Sequence, residues 1–389
     1  MKKIICLSTV LCMLLVFVGC KRPASPTTQP SISETESTTG SPQQEPMYAV
    51  AVPAESTPVT AEDGTLIFTY TRQHMMLTLP DPDVADKIIM DFLSRIDITR
   101  STADATLAAA KNAYTTGTAN WTPYLCSITY SPTRIDQGVL SLSGSNITYS
   151  GTSHPERISV SASYDLVTGD VLTLGSIMSA KAEAADFCQL VLDVLEPSKK
   201  ELYLYEGYEA TVRQRFTRDV SRDEDWYFTQ TGLCFYFAPY EIAPYSSGVI
   251  VAEIPYEKLS GLLHDSYFPP ERVTAGGTVQ VTPMEKTDLT SFSQIAEIAL
   301  DPNAQMVFLH TEGLIWDVEI TTGTWNSMSN EFTANYSPLL CHALSPGDAI
   351  MVQTQFTDTN PALRLTYSTG SATVVRYLAQ KDGTVQLVK

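Results

Sequence analysis

Three kinds of side chain in this sequence have the type and spacing to carry chemistry. The first is a thiol. Phe17-Val18-Gly19-Cys20 closes an apolar run that begins at Ile4, just after Lys2 and Lys3. Basic residues ahead of a short apolar core are the n- and h-regions of an export signal. The run falls short of the ~20 apolar residues that a bilayer span needs. Gly19 is small enough for a signal-peptidase pocket, and the Cys20 thiol then accepts a diacylglycerol. The expectation is a signal at 1–19, lipidation at Cys20, and a protein held on the outer side of the cell membrane by that lipid alone.

The second kind is imidazole. His74, His154, His264, His310 and His342 include no pair at i+3 or i+4, so no zinc-protease helix or deacetylase-type histidine pair exists. Gly-x-Ser-x-Gly, the phosphate-binding loops and Cys-x-x-Cys are absent too. The acidic run Asp219–Asp225 lacks the glycine and the closing bidentate glutamate of a calcium loop. No catalytic residue, metal ligand or cofactor is therefore expected. His154, beside Pro155, is the histidine best placed for a role in binding; its plain reading is a hydrogen-bonded turn residue.

The third kind is phenol. Phe237-Ala-Pro-Tyr-Glu-Ile-Ala-Pro-Tyr-Ser-Ser-Gly248 repeats Ala-Pro-Tyr between two apolar runs, Leu233–Tyr236 and Val249–Val251. Proline has no N–H for a strand ladder, so Pro239 and Pro244 push the intervening residues out of regular pairing. The stretch predicts a rigid, wide connection between two strands. Tyr240 and Tyr245 either pack over the sheet end with hydroxyls outward or stand displayed as a binding surface; the apolar flanks favour packing.

These residues need elements to position them. Residues 20–46 are Ser, Thr, Pro, Gln and Glu with no aromatic residue, too polar to offset chain entropy. They read as a tether. Globular composition begins at Met47. Strands are expected at Met47–Val52, Thr65–Tyr70, Tyr124–Tyr130, Val139–Leu142 and Ile158–Tyr164, the last alternating so that one face is wet. Asp81-Pro82-Asp83 is a helix start, and Val84, Ile88, Phe92 and Ile96 form one apolar stripe. Further helices are expected at Ala103–Tyr114, Ala182–Leu195, Tyr205–Arg218 and, briefly, Pro255–Leu263. The pattern is α+β, with helices on one face of an antiparallel sheet. Phe268-Pro269-Pro270 and Gly276-Gly277 mark a boundary. Beyond it, 276–389 reads as a small β-sandwich, with a hairpin turn at Asp382-Gly383.

Tyr164-Asp-Leu-Val-Thr-Gly-Asp-Val-Leu-Thr-Leu174, the Ala-Pro-Tyr stretch, and Glu253-Ile-Pro-Tyr-Glu-Lys-Leu259 together resemble the extracytoplasmic domain of RsiV-type anti-sigma factors, which also accompanies the deacetylase domain of PdaC. Tyr149–Pro155 is similar to that family's turn before the Asp-Leu-x-Thr-Gly strand. The resemblance covers about 47–268. It implies a cell-surface α+β module; in the anti-sigma factors that module recognises lysozyme. It does not imply anti-sigma activity, because the sigma-binding segment and the transmembrane helix are missing.

The formal charge is −18, with a pI near 4.6, which argues against nucleic acid as a partner. The expected partner is an extracellular protein, cationic and lysozyme-like, or a cell-wall glycan. The leading expectation is a non-enzymatic, lipid-anchored binding or sensing module. A peptidoglycan accessory protein and an enzyme of unrecognised type are the alternatives. Cys126, Cys188, Cys234 and Cys341 permit disulfides outside the cytoplasm but lie in runs where a thiol serves as a small buried hydrophobe.

Overall fold

A computed structural model describes residues 45–389, apart from 118–120, 218–224, 275, 284–289, 302, 327, 330, 357–362, 382–383 and 389. Cys20, the tether up to residue 44, most of the acidic run and the Asp382-Gly383 turn lie outside the described residues.

β1 (Tyr48–Thr60) and β2 (Leu66–Thr78) form an antiparallel pair. β1 tolerates Pro53 and Pro58 because only Tyr48–Val50 of its outer edge is paired and its register slips after Val52. α1 (Pro82–Thr115) starts as its sequence dictates: the Asp81 carboxylate accepts from the N–H groups of Asp83 and Val84, and Pro82 opens the first turn. Val84, Ile88, Phe92 and Ile96 are all buried. The two helices expected here are one. Residues 97–102 contain no glycine or proline, and the hydroxyls of Thr99 and Thr106 donate back to Ile96 O and Thr102 O, which satisfies them within the helix.

α1 is also the crossover that makes β2 and β3 (Tyr124–Ile135) parallel. β4 (Val139–Tyr149) and β5 (Glu156–Asp165) then add antiparallel strands. The pleat sorts their side chains. Ile128, Tyr130, Leu140, Leu142, Ala162 and Tyr164 join Ile88 and Phe92 in one core. On the other face small hydroxyls line up across the strands: Ser131–Ser143–Ser161 and Thr129–Ser145–Ser159.

After the single turn α2 (Leu174–Ile177) come α3 (Ala184–Leu195), α4 (Tyr208–Phe216) and a three-stranded antiparallel sheet of β6 (Trp226–Phe228), β7 (Gly232–Phe237) and β8 (Ile250–Pro255). This layer docks on the hydroxyl face: Phe228 N–H donates to Ser141 Oγ, and Thr133 Oγ1 donates to Phe228 O. Its own core includes Phe187, Val191, Tyr208, Trp226, Phe235 and Ile254. The helices therefore do not share one face of the main sheet. α1 covers the Leu140–Tyr164 face, while α3 and α4 belong to the layer on the opposite side.

The remaining strands are β9 (Val279–Pro283), β10 (Gln294–Ala299), β11 (Met306–Thr311), β12 (Ile315–Asn326), β13 (Glu331–Leu344), β14 (Asp348–Gln353), β15 (Leu363–Ser368), β16 (Thr373–Lys381) and β17 (Thr384–Val388). Four of them form a sheet in the order β10-β14-β11-β9, and β10 lies parallel to β14. The other five extend the main sheet to ten strands, β17-β16-β15-β12-β13-β1-β2-β3-β4-β5. Two sheets thus enclose Val307, Leu309, Ile320, Leu339, Ile350 and Leu365, with Val50 of β1 among them.

The boundary expected between 268 and 276 does not separate two sheets: Leu339–Cys341 of β13 pair with Tyr48–Val50 of β1, and the described residues form one compact unit. The class is mixed α and β with mostly antiparallel sheets. Among the described residues no helix is long and apolar enough to cross a membrane. The four cysteines are free and buried; burial raises every thiol pKa, that of Cys234 and Cys341 to about 12. They are packing residues, not reactive ones.

Candidate binding surface

The β7–β8 connection is built from its middle outward. Ile242 and Ala243 are fully buried in the core of the smaller layer, and Tyr205 N–H donates to Ile242 O at 2.9 Å. With that dipeptide anchored, the flanking Ala-Pro-Tyr units arch over it. Tyr240 N–H donates to Ala243 O at 3.0 Å, and Ala238 N–H to a Glu241 carboxylate oxygen at 2.9 Å. Arg215 braces the loop from below: it pairs with Asp225 at 2.7 Å and Glu241 at 3.4 Å and lies 4.7 Å over the Phe237 ring. This turn holds Tyr240 at φ +71°, a left-handed backbone that a bulky side chain rarely adopts, and leaves the residue 57% exposed.

The β4–β5 connection meets it. Gly151 turns there at φ +84°, and Thr152 Oγ1 donates to His154 O at 2.8 Å. The His154 ring stacks on Tyr245 with centroids 4.0 Å apart and planes 22° apart. Its Nε2 lies 3.1 Å from the Tyr240 hydroxyl. Tyr245 donates its own hydroxyl to Pro155 O at 2.9 Å, and the two tyrosine rings are 5.6 Å apart. The three residues singled out in the sequence share one surface. The packing favoured for both tyrosines holds for Tyr245, which is half-buried and clamps the two loops, and fails for Tyr240, which the turn leaves exposed. His154 is a turn residue and also the bridge between them.

The cluster offers aromatic faces, a phenol and an imidazole edge, which is the chemistry of a contact surface. Among the described residues His154 has phenol, ring and carbonyl partners and no carboxylate, and no group of three or more His, Cys, Asp or Glu is placed to hold a metal. The other histidines have local partners: His74 lies near Glu55, His264 bonds Ser266, His310 bonds Thr282, and His342 is buried against Trp316.

Sequence reasoning missed one charged site altogether. Arg134 and Asp136 are both fully buried and paired at 2.7 Å. Arg134 also donates to the Tyr256 hydroxyl and Tyr267 O, and lies over the Phe228 and Tyr256 rings. Asp136 accepts the N–H groups of Gly138 and Val139. The pair fastens the smaller layer to the β3–β4 turn. Charge within an apolar strand, Thr133-Arg-Ile-Asp136, was the available signal.

Residues 193–257 match the model of a protein family of unknown function, DUF3298. The chain carries a DUF3298 domain. It runs from the end of α3 through β8 and includes Tyr240 and Tyr245, while His154 lies upstream of it. Two solved DUF3298 proteins are similar to the chain. One, from Bacteroides fragilis, is 16% identical over 57% of this chain and 94% of its own, with a TM-score of 0.45. The other, from Pseudomonas aeruginosa, is 19% identical over 58% of this chain and 98% of its own, with a TM-score of 0.42. Comparison with curated proteins gives no match.

Proposed function

We propose that the protein is a non-enzymatic module, exported and anchored through lipid on Cys20, whose His154–Tyr240–Tyr245 surface recognises a cationic extracellular protein. The observation that carries this reading is Tyr240, an exposed aromatic residue held in a left-handed backbone by a hydrogen-bonded turn. Strain of order 1–3 kcal/mol at a displayed side chain points to use rather than packing. The charge of −18 favours a basic partner. Lysozyme is the candidate supplied by the resemblance to RsiV-type and PdaC-associated domains.

The test separates recognition from general attraction. Lysozyme and cytochrome c, both basic, are titrated at 0.15 M and 0.5 M salt. Screening weakens exposed charge pairs, while a packed interface survives it. Lysozyme binding that persists at 0.5 M salt and falls at least tenfold in Tyr240→Ala is expected. Equal affinity for both proteins, lost together with salt, removes the proposal. The anchor is tested separately: labelled fatty acid should enter the wild-type chain and not Cys20→Ser.

A further inference from the structure

A groove of about 280 Å³ opens beside the β5 and β8 strands that leave the two loops of the aromatic cluster. Its floor is the part of the hydroxyl face that the smaller layer leaves uncovered, with Ser131, Ser143, Ser145 and Ser159. Gly144 lets β3 and β4 close beneath it; a Cβ there would sit 1.9 Å from Thr129 O. One wall comes from the smaller layer. The other comes from β13, which reaches the floor where Ser337 N–H donates to Ser131 Oγ at 3.3 Å.

The polar groups around this groove fall into two sets. Tyr236 is internally committed: its hydroxyl lies 3.2 Å from Ser159 O and accepts Asp225 N–H. Arg157, Asn335 and Tyr336 are different. Among the described residues their side-chain polar groups make no hydrogen bond or ion pair, yet all three line the groove. Burial raises the phenol pKa of Tyr227, Tyr236 and Tyr336, so these three phenols are neutral donors and acceptors.

The chemistry of the lining narrows the ligand. The central floor strand, β4, is paired on both edges, so a peptide lying across the floor cannot add to it as a strand; β5 ends the sheet, laddered to β4 alone. The charge of −18 repels polyanions. Hydroxyls, an amide and tyrosine faces suit a polyhydroxyl ligand with apolar C–H faces. A guanidinium without a partner suits one carboxylate, which it can grip bidentately. The volume lies at the small end for ligand sites.

We propose that this groove binds a short oligosaccharide bearing an isolated carboxylate, with Arg157 on the carboxylate and Asn335 and Tyr336 on hydroxyl or acetamido groups. The site is separate from the aromatic cluster and stands whether or not that cluster binds a protein.

Calorimetry on the chain without its signal tests it with two probes. One is a neutral N-acetylglucosamine tetramer; the other is the same tetramer with a single residue replaced by glucuronate. The acidic probe should bind about tenfold more tightly, a difference of about 1.4 kcal/mol. Arg157→Gln, an exposed change, should abolish that preference and leave the neutral probe unaffected. Tyr336→Phe should weaken both probes several-fold. Binding of neither probe at millimolar concentration overturns the proposal. So does binding that is indifferent to both variants, since the ligand would then sit elsewhere. Lysozyme titrated in the absence of saccharide reports on the aromatic cluster independently.

Discussion

Tyr240 pays in backbone conformation for the exposure of its ring. Relieving the first should be separable from losing the second. Tyr240→Gly fits φ +71° without strain, so it should raise stability, or at worst leave it unchanged, while partner binding falls. The gain is bounded by the entropy glycine adds to the unfolded chain, about 1 kcal/mol. Loss of stability in a chemical-denaturation curve would instead make the ring a packing residue. Tyr245→Ala should behave in the opposite way. It removes the His154 stack and the bond to Pro155 O, so a cost of about 1–3 kcal/mol is expected. At this scale the two prolines predict a rigid, wide connection, but the apolar flanks favour packing for both tyrosines, and the exposure of Tyr240 departs from that. What the sequence did not contain was the meeting of His154 with Tyr240, which depends on two connections converging above β5 and β7.

His342 gives a residue-scale prediction of another kind. Burial and the neighbouring Arg272 lower its pKa to about 4, with Asp136 and the Ile135 carbonyl opposing and Arg134 adding to the lowering. Folded His342 stays neutral down to about pH 4, whereas the unfolded imidazole takes a proton near 6.5. Between those values the unfolded state binds more protons. His342 therefore costs nothing above pH 6.5 and destabilises progressively as pH falls towards 4, by at most about 3 kcal/mol. Asp317 and Asp348, whose pKa values burial raises, oppose this trend. Comparison with His342→Gln isolates the contribution. Urea midpoints from pH 7 to pH 4 should fall less steeply in the variant, and identical slopes would assign the acid sensitivity to other groups.

Among the elements, the turn from β3 to β4 carries a fully buried ion pair. Arg134 and Asp136 are both sealed from water, where breaking one partner costs far more than the pair contributes. Asp136→Asn keeps the size of the side chain and leaves the guanidinium without its counter-charge. A loss of about 3–5 kcal/mol is expected, with the smaller layer loosening first because Arg134 holds Tyr256 and Tyr267 O. Hydrogen exchange in β6–β8 that rises before exchange in β3–β5 would show this; uniform exchange would mean that the layers open together. Legibility at this scale followed locality. The α1 cap and stripe were readable because Asp81, Pro82 and the four-residue spacing act within a few turns. The two expected helices are one because, between the stripe's end at Ile96 and the Ala-rich stretch from Ala103, no glycine or proline ends a helix. The alternation Ile158–Tyr164 implies a wet face for β5, but Ser161 and Ser163 on that face are buried, because β6–β8 partly roof it, a contact between segments far apart in the chain.

For the whole molecule, the decisive contact joins strands on either side of the expected boundary, β1 and β13. Punctuation at Pro269-Pro270 and Gly276-Gly277 suggested two units, and a composition-based boundary cannot register that β13 returns to pair with β1. Yet Val50 sits in the core between the two C-terminal sheets, and Leu340 sits in the core under α1. Each half supplies a side chain to the other's interior. A fragment of 276–389 would lose β1 from the edge of β13 at Leu339–Cys341 and uncover Val50's place in its core. An unpaired, apolar strand edge of that kind invites aggregation. The fragment should therefore be insoluble or lack a cooperative transition, and the described part of the chain should unfold in one calorimetric step whose enthalpy matches its van't Hoff value. Mixing 42–275 with the fragment should restore solubility if the β1–β13 seam is what is missing. A fragment that alone melts cooperatively would show the seam to be an interface between independent domains. In that case the groove, whose Asn335 and Tyr336 come from β13 and whose floor comes from β3–β5, would be assembled only when the two dock.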